Sequence, residues 1–171
     1  MRVFIENQKF DQWWLRLVLI SVLLLAIGPM LLLNDWQDFG QNELVILLVS
    51  FAIIGAVSVF ILFVFTLKSK IDDQGVHVHF YPFKRSPRLI PWDEITKIYT
   101  REYSPISEYG GWGYRVKLFK GAGAAYNVKG NIGIQMELTN GKKILIGTQK
   151  QTEADSVINY YTNKSDSYDS L

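Results

Sequence analysis

Residues 44–67 read LVILLVSFAIIGAVSVFILFVFTL, and this stretch contains no charged residue and no His, Asn, Gln or Pro. Its 24 residues exceed the roughly 20 apolar residues that an α-helix, rising about 1.5 Å per residue, needs to cross the hydrocarbon core of a bilayer. The stretch therefore predicts a transmembrane helix. It also divides the chain, because the sequence after it changes to the period of two that is typical of β-strands.

A second apolar run lies before this stretch. Residues 17–33 are uncharged but contain Pro29, and Trp13 and Trp14 stand ahead of them, where aromatic side chains mark a membrane interface. The run is too long for the core of a signal peptide and another span follows it directly, which argues against cleavage. We therefore predict a two-helix transmembrane hairpin over residues 13–67, with helices at 13–33 and 44–67, after a lead-in of residues 1–12.

The distribution of charge orients this hairpin. The chain has 18 Lys and Arg against 16 Asp and Glu, a net charge of +2. The charged residues of the short loop 34–43 are all acidic, whereas basic residues flank the outer ends of the two apolar runs. By the positive-inside bias, we expect an integral membrane protein with both termini in the cytoplasm. The lipid bilayer is thus the first predicted partner.

The residues after the second run predict a small mainly-β domain. From residue 68 onward, short stretches alternate apolar and polar side chains, as half-buried strands do. The clearest hairpin joins residues 132–138 to residues 142–147 through Asn140-Gly141, a pair that favours a tight turn.

One helix is expected after the last strand. Its buried face is predicted by the i, i+3, i+4, i+7 spacing of Ala154, Val157, Ile158 and Tyr161. About seven antiparallel strands closed by one C-terminal helix is the layout of a pleckstrin-homology-like (PH-like) barrel. We assign residues 68–162 to this cytoplasmic domain and expect residues 163–171 to be a disordered tail.

Three blocks of the domain resemble recurring blocks of small bacterial membrane proteins. They are YGGWGYR at 109–115, AYNVKGNIG at 125–133 and KKILIGTQK at 142–150. In that family a two-helix transmembrane hairpin precedes a bacterial PH-like domain. The resemblance implies the same fold and a place in the bacterial cytoplasmic membrane. Because the family is largely uncharacterised, it implies no reaction.

The composition and the motifs exclude several chemistries. There is no Cys, so disulfides, Cys-ligated zinc, iron–sulfur clusters and thiol catalysis are ruled out. His77 and His79 share one strand face, but their spacing fixes no third ligand, and solvent-facing histidines are favoured over a metal site. The G-x-S-x-G and phosphate-loop motifs do not occur. We expect no catalytic residue, no metal, no cofactor and no enzymatic activity.

Two segments are candidates for binding. The basic loop supplies Lys84, Arg85 and Arg88, which suit anionic lipid headgroups; the alternative is a solvated loop. The run 109–115 sets three glycines beside Trp and Arg, which allows close approach of another chain or ligand and offers residue types common in binding hot spots. Its candidate residues are Tyr109, Gly110, Gly111, Trp112, Gly113 and Arg115. The alternative is a bulged loop whose Trp packs on the barrel.

These features predict a non-enzymatic, membrane-anchored PH-like module that binds or scaffolds another membrane or cytoplasmic protein, or a second copy of itself. The alternative prediction is a lipid or small-ligand sensor that uses the 109–115 loop and the basic 84–88 loop. Nucleic acid is not an expected partner, because the domain shows no basic stripe.

Overall fold

The computed structural model of the protein describes residues 2–10, 13, 16–17, 20–22, 24, 40–83, 86–117 and 123–169. The chain divides into two compact units. One unit joins Met1–Lys9 to Phe65–Leu171, and the other is Phe10–Val64. The first unit is therefore discontinuous in sequence, with the second inserted after its first strand.

The inserted unit contains helix α1 (Gln41–Val64), 24 residues long and rich in apolar side chains, several of which are exposed. The described positions 13, 16–17, 20–22 and 24 are also helical. Among the described residues, no helix combines the length and the apolar character needed to cross a membrane.

The predicted transmembrane hairpin is therefore wrong. The prediction of an integral protein of the cytoplasmic membrane is wrong for the same reason. The predicted contact with the lipid bilayer was based on the same two helices. Both predictions depended on one helix over residues 44–67, whereas α1 ends at Val64 and Leu67 is fully buried in a strand. Apolar composition alone does not separate a membrane span from a run shared between a helix and a buried strand. Residues 25–33 of the first predicted span lie outside the described residues.

The described strands of the first unit form two sheets. The first sheet has the order β1-β2-β3-β4 and is antiparallel throughout, with β1 (Phe4–Lys9), β2 (Thr66–Ile71), β3 (Gly75–Tyr81) and β4 (Arg88–Pro91). The second has the order β5-β8-β9-β7-β6, with β5 (Ile95–Glu102), β6 (Gly113–Lys117), β7 (Gly123–Asn127), β8 (Ile132–Leu138) and β9 (Lys143–Gly147). Its β7–β9 pair is parallel and its other pairs are antiparallel.

The mainly-β character of the domain is confirmed, and the barrel is wrong. Nine described strands lie in two sheets, where the sequence predicts about seven in one closed barrel. The strand β1, the division into two sheets and the parallel β7–β9 pair all depend on contacts between distant segments. Alternation identifies a strand and its faces, but it carries no information about which strand becomes the neighbour or in which direction that neighbour runs.

The predicted C-terminal helix is confirmed as α3 (Gln151–Asp169). Its buried residues include the four from the predicted face, Ala154, Val157, Ile158 and Tyr161. The helix continues to Asp169, so the part of the expected disordered tail that the structure describes is helical. The predicted 132–147 hairpin is also confirmed, as β8 and β9. A 3₁₀ turn (Trp92–Glu94) and the short helix α2 (Pro105–Tyr109) complete the described elements of this unit.

The N-terminal residues belong to the β unit rather than to a lead-in. Phe4, Glu6 and Gln8 of β1 are buried, and the residues between them are exposed. The Glu6 carboxylate accepts hydrogen bonds from the Thr148 hydroxyl (2.6 Å) and from the Gln149 N–H (2.8 Å). Because two of the three inward residues are polar, the sequence of β1 lacks the alternation of apolar and polar residues that predicts a strand.

The turn between β2 and β3 requires a glycine. Gly75 has φ +142°, and a Cβ atom built on it would lie 2.2 Å from the Ile90 carbonyl oxygen in β4. The Asp72 N–H donates to the Gly75 carbonyl at 3.0 Å, which closes the turn. A side chain at this position would meet strain and a backbone clash together.

We predict that Gly75→Ala lowers the free energy of unfolding by at least about 2 kcal/mol, because a strained backbone costs about 1–3 kcal/mol and β4 must also move. Gly141→Ala is the matched control. Gly141 has φ +77°, and no atom lies within 4 Å of the position that a Cβ would take there, so about 1–2 kcal/mol is expected from the backbone alone. Urea unfolding of both variants measures the difference. Equal losses would contradict the clash.

Candidate functional site

The 109–115 run starts at the end of helix α2, which lies against the second sheet. The Tyr109 ring packs on a small core cluster of Tyr103, Ala125 and Leu145, with the Tyr103 and Tyr109 ring centres 5.9 Å apart. Burial raises the pKa of the Tyr109 hydroxyl. This residue is therefore part of the packing of the domain.

An ion pair holds α2 in this position. The Arg101 guanidinium on β5 donates to both carboxylate oxygens of Glu108, at 3.2 and 2.7 Å, and also to the Gln135 side-chain oxygen at 3.1 Å. The hydrogen bond to Glu108 raises the pKa of Arg101. A paired fork of this kind fixes orientation as well as distance. The helix is absent from the sequence predictions, although Ser104-Pro105 is a helix-start signal.

The glycines and the tryptophan of the run have structural contacts too. Gly110 ends α2, and its N–H donates to the Ile106 carbonyl at 2.8 Å. The Trp112 indole N–H donates to the Gly130 carbonyl at 3.2 Å. The Gly113 N–H donates to the Asn127 side-chain oxygen at 2.8 Å. These contacts agree with the structural alternative for this part of the run.

The run ends with the half-buried Tyr114 and the exposed Arg115. Arg115 is exposed, and its guanidinium lies 3.3 Å from the position that a Cβ on Gly111 would take. Tyr114 pairs directly opposite Tyr126 of β7, and the two rings stack with centres 5.0 Å apart. The binding role predicted for residues 109–115 stays a prediction, and Tyr114 and Arg115 are the part of the segment that it concerns most.

The basic segment is described in part. Arg88 is exposed at the start of β4, whereas Lys84 and Arg85 lie outside the described residues. Burial raises the pKa of the Tyr126 hydroxyl, and the neighbouring Arg88 guanidinium partly opposes this increase. Arg88 therefore reaches across from the first sheet to the ring on which Tyr114 stacks.

A row of aromatic rings joins the two candidate segments. This aromatic row consists of Phe65, Phe80, Phe83, Tyr114 and Tyr126. Phe83 lies 5.4 Å from Phe65, 5.7 Å from Phe80 and 6.1 Å from Tyr114, measured between ring centres. These separations fall within the range at which aromatic pairs attract each other. In the sequence the two segments are separate candidates, and the Phe83–Tyr114 contact brings them together.

The joined segments have charge of one sign. Residues 81–91 contain Lys84, Arg85 and Arg88, residues 109–136 contain Arg115, Lys117, Lys120 and Lys129, and neither segment contains an Asp or Glu. The net charge of the chain, +2, conceals this asymmetry. This charge asymmetry matters because Arg88 at the start of β4 lies beside Tyr126 of β7.

The two histidines lie on β3 where strand alternation places them, and both are half-buried. The His77 side-chain nitrogen Nε2 is 3.1 Å from Asp72 Oδ1, a contact that sequence spacing did not reveal. Burial acts to raise the pKa of Asp72, but hydrogen bonds from Lys70, the Gln74 N–H and His77 outweigh it and lower the pKa. Within the described residues, no group of three or more potential ligands is suited to a metal ion.

Comparison of the chain with protein-family models, with curated protein sequences and with solved structures finds no match. The resemblance to bacterial membrane proteins with a PH-like domain therefore stays a prediction. Any function has to be inferred from the geometry of the described residues.

Tyr103 provides a test of the packing under α2. It is 5% exposed, and burial raises the pKa of its hydroxyl to about 12, above the ordinary value of 10.0. The unfolded chain therefore loses this proton at lower pH than the folded chain does. The stabilising effect is complete below pH 10 and is lost as the pH rises toward 12.

We predict that Tyr103→Phe reduces the fall in unfolding free energy between pH 10 and 12 by about 2 kcal/mol, since one pKa unit corresponds to about 1.4 kcal/mol. Urea unfolding at several pH values measures this fall. Tyr81→Phe, at an exposed tyrosine, is the control. The same pH dependence in both variants would contradict the buried position of Tyr103.

Proposed function

We propose that the chain is a non-enzymatic binding module that docks a partner protein on the surface formed by Phe83, Arg88, Tyr114, Arg115 and Val116, the aromatic–basic surface. The contact between Phe83 and Tyr114, with ring centres 6.1 Å apart, carries the proposal. It brings the segment after β3 against edge strand β6, which presents Tyr114 and Val116 on the face of Phe83 and Arg115 on the opposite face.

The exposure of this surface supports binding. The Phe83 side chain is 57% exposed, although its ring stacks on the fully buried Phe80 ring, and the Val116 side chain is 53% exposed. Large apolar groups clustered on a surface and rimmed by charge mark interaction sites more often than isolated ones do. Tyr and Arg are also among the residues that contribute most to protein–protein binding.

The chemistry of the surface supports binding rather than catalysis. Its charged groups are guanidinium groups, which keep their protons in proteins and accept no hydrogen bond. Such groups recognise anions, but they do not serve as general bases. The surface therefore has the character of a recognition site.

We predict that a photoreactive group at position 83 captures a specific protein. The full-length chain with Phe83→p-benzoylphenylalanine is irradiated in cells, and crosslinked products are identified by mass spectrometry. The matched control carries the same group at Ile106, which is 67% exposed on α2. The expected result is one product at position 83 that is absent at position 106, and that is lost with Arg88→Glu but kept with Lys97→Glu.

Two results would contradict this function. The first is capture of the same set of proteins from positions 83 and 106. The second is a product at position 83 that persists in the Arg88→Glu variant. Lys97 is a suitable control because it is an exposed basic residue on β5, at the other edge of the second sheet.

A second candidate function is a sensor of anionic lipid headgroups or small anionic ligands. The observation that favours it is the same meeting of the basic 84–88 segment with the 109–115 segment, neither of which contains an acidic residue. Basic residues near an anionic surface contribute about 1 kcal/mol each. The Arg88 guanidinium would then act on a phosphate-bearing surface beside Phe83 and Tyr114.

For this candidate we predict that Arg88→Glu weakens binding of the full-length chain to phosphatidylserine vesicles by about fivefold or more, in a flotation assay at low salt. Lys97→Glu is the control and is expected to change binding by less than about twofold. Equal binding of the two variants would exclude a sensor role for this surface.

A further inference from the structure

We propose that strand β6 is the docking edge of the aromatic–basic surface, and that it takes an extended acidic segment of a partner protein as an additional strand. This inference rests on the proposed function and names the chemistry of the partner. In strand addition, backbone hydrogen bonds provide affinity, and alternate side chains provide specificity.

Four described strands lie at sheet edges: β1, β4, β5 and β6. Helix α3 contacts two of them. At β1, the Tyr161 hydroxyl donates to the Arg2 carbonyl just before the strand, at 2.7 Å. At β5, the Thr100 hydroxyl donates to the Asp155 carboxylate at 2.7 Å. Helix α3 therefore packs close to both of these strands.

The two remaining edge strands, β4 and β6, differ in how well each could pair with an added strand. Strand β4 is four residues long, follows Pro87 and ends with Pro91. Proline supplies no N–H, and short proline-bearing edges resist pairing with another strand. Strand β6 has five residues, GYRVK, and contains no proline. Among the described strands it pairs with β7 alone.

The two faces of β6 present different chemistry. Side chains alternate across a strand, so Tyr114 and Val116 share one face, and Arg115 lies on the other. The first face continues into the aromatic row through Phe83. A strand added beside β6 would therefore place apolar side chains against Tyr114 and Val116, and acidic side chains beside Arg115.

The charge on this edge selects the partner. Arg115 belongs to β6, and the segments that meet here contain no acidic residue. Like charges facing each other are destabilising, so pairing of β6 with the β6 of a second copy is disfavoured. The same positive charge attracts a strand with Glu or Asp at alternate positions. The structure thus favours an acidic partner segment over self-association.

The backbone favours a peptide over a lipid surface. A strand edge offers alternating N–H and carbonyl groups at the spacing of another strand. An extended chain matches this spacing, whereas phosphate headgroups match only the basic side chains. A test that reads backbone pairing therefore separates these two sources of negative charge.

The experiment measures fluorescence anisotropy of the full-length chain with the peptide Thr-Glu-Val-Glu-Val-Glu-Val-Thr, labelled at its N-terminus. Two further peptides are N-methylated, one at every Glu and the other at every Val. In strand addition alternate residues pair with the edge, so one methylated peptide is expected to bind like the parent and the other to lose binding. A peptide with Lys in place of Glu is expected not to bind.

Protein variants locate the peptide on β6. Arg115→Glu is expected to weaken binding by about tenfold or more, and Lys97→Glu by less than about twofold. Circular dichroism and urea unfolding of both variants verify that the fold is retained. An Arg115→Glu variant that fails to fold is replaced by Val116→Asp, for which the same loss is expected.

Three results would overturn the inference. They are equal effects of the two methylation patterns, equal binding of the Glu and Lys peptides, and equal losses in the Arg115→Glu and Lys97→Glu variants. If the position-83 crosslink is still found in any of these cases, partner binding by the surface stands and the strand addition alone is wrong. Vesicle binding without peptide binding would assign the surface to lipid headgroups instead.

Discussion

The antiparallel pairing of β1 with β2 is the constraint on which the β unit depends. The register joins Phe4 to Ile71 and Lys9 to Thr66, so the chain leaves the first sheet at Lys9 and re-enters beside the same residue. The whole inserted unit is thus a connection between two neighbouring strands. Loop-closure entropy grows slowly with loop length, so a long insertion at this point is compatible with a stable sheet.

The buried polar residues of β1 give the strand its fixed place: Glu6 binds Thr148 and Gln149, and the Gln8 side-chain N–H donates to the Gly147 carbonyl at 2.7 Å. A buried carboxylate is costly without hydrogen-bond donors, and the segment between β9 and α3 provides them.

The aromatic–basic surface exists because both sheets contribute to it. Phe83 follows β3 and Arg88 begins β4, whereas Tyr114, Arg115 and Val116 belong to β6. Ring contacts hold the two sources together, and basic residues dominate both. The residues between α2 and β6 are held by backbone contacts, since the Gly110 N–H donates to the Ile106 carbonyl and the Trp112 indole N–H donates to the Gly130 carbonyl. A binding site beside residues held in this way loses less entropy when a partner is bound.

Several local features of this protein follow from short-range patterns in its sequence. The alternation of residues 132–147 predicted the β8–β9 hairpin, and the spacing of Ala154, Val157, Ile158 and Tyr161 predicted the buried face of α3. Both depend on periods of a few residues, which side-chain geometry fixes within one element. The sequence also names Arg88 as part of a basic loop suited to anionic headgroups and Arg115 as a residue type common in binding hot spots, and their binding role stays a prediction.

Tertiary structure decided the rest. The pairing of β1 with β2, the parallel β7–β9 pair and the contact of Phe83 with Tyr114 join residues far apart in the chain, and no local period records them. Local composition also failed to predict the structure of the apolar run 44–67. Its composition predicted one membrane helix, whereas the fold assigns its last residues to strand β2. Composition reports how strongly a segment avoids water, and long-range packing determines what covers it.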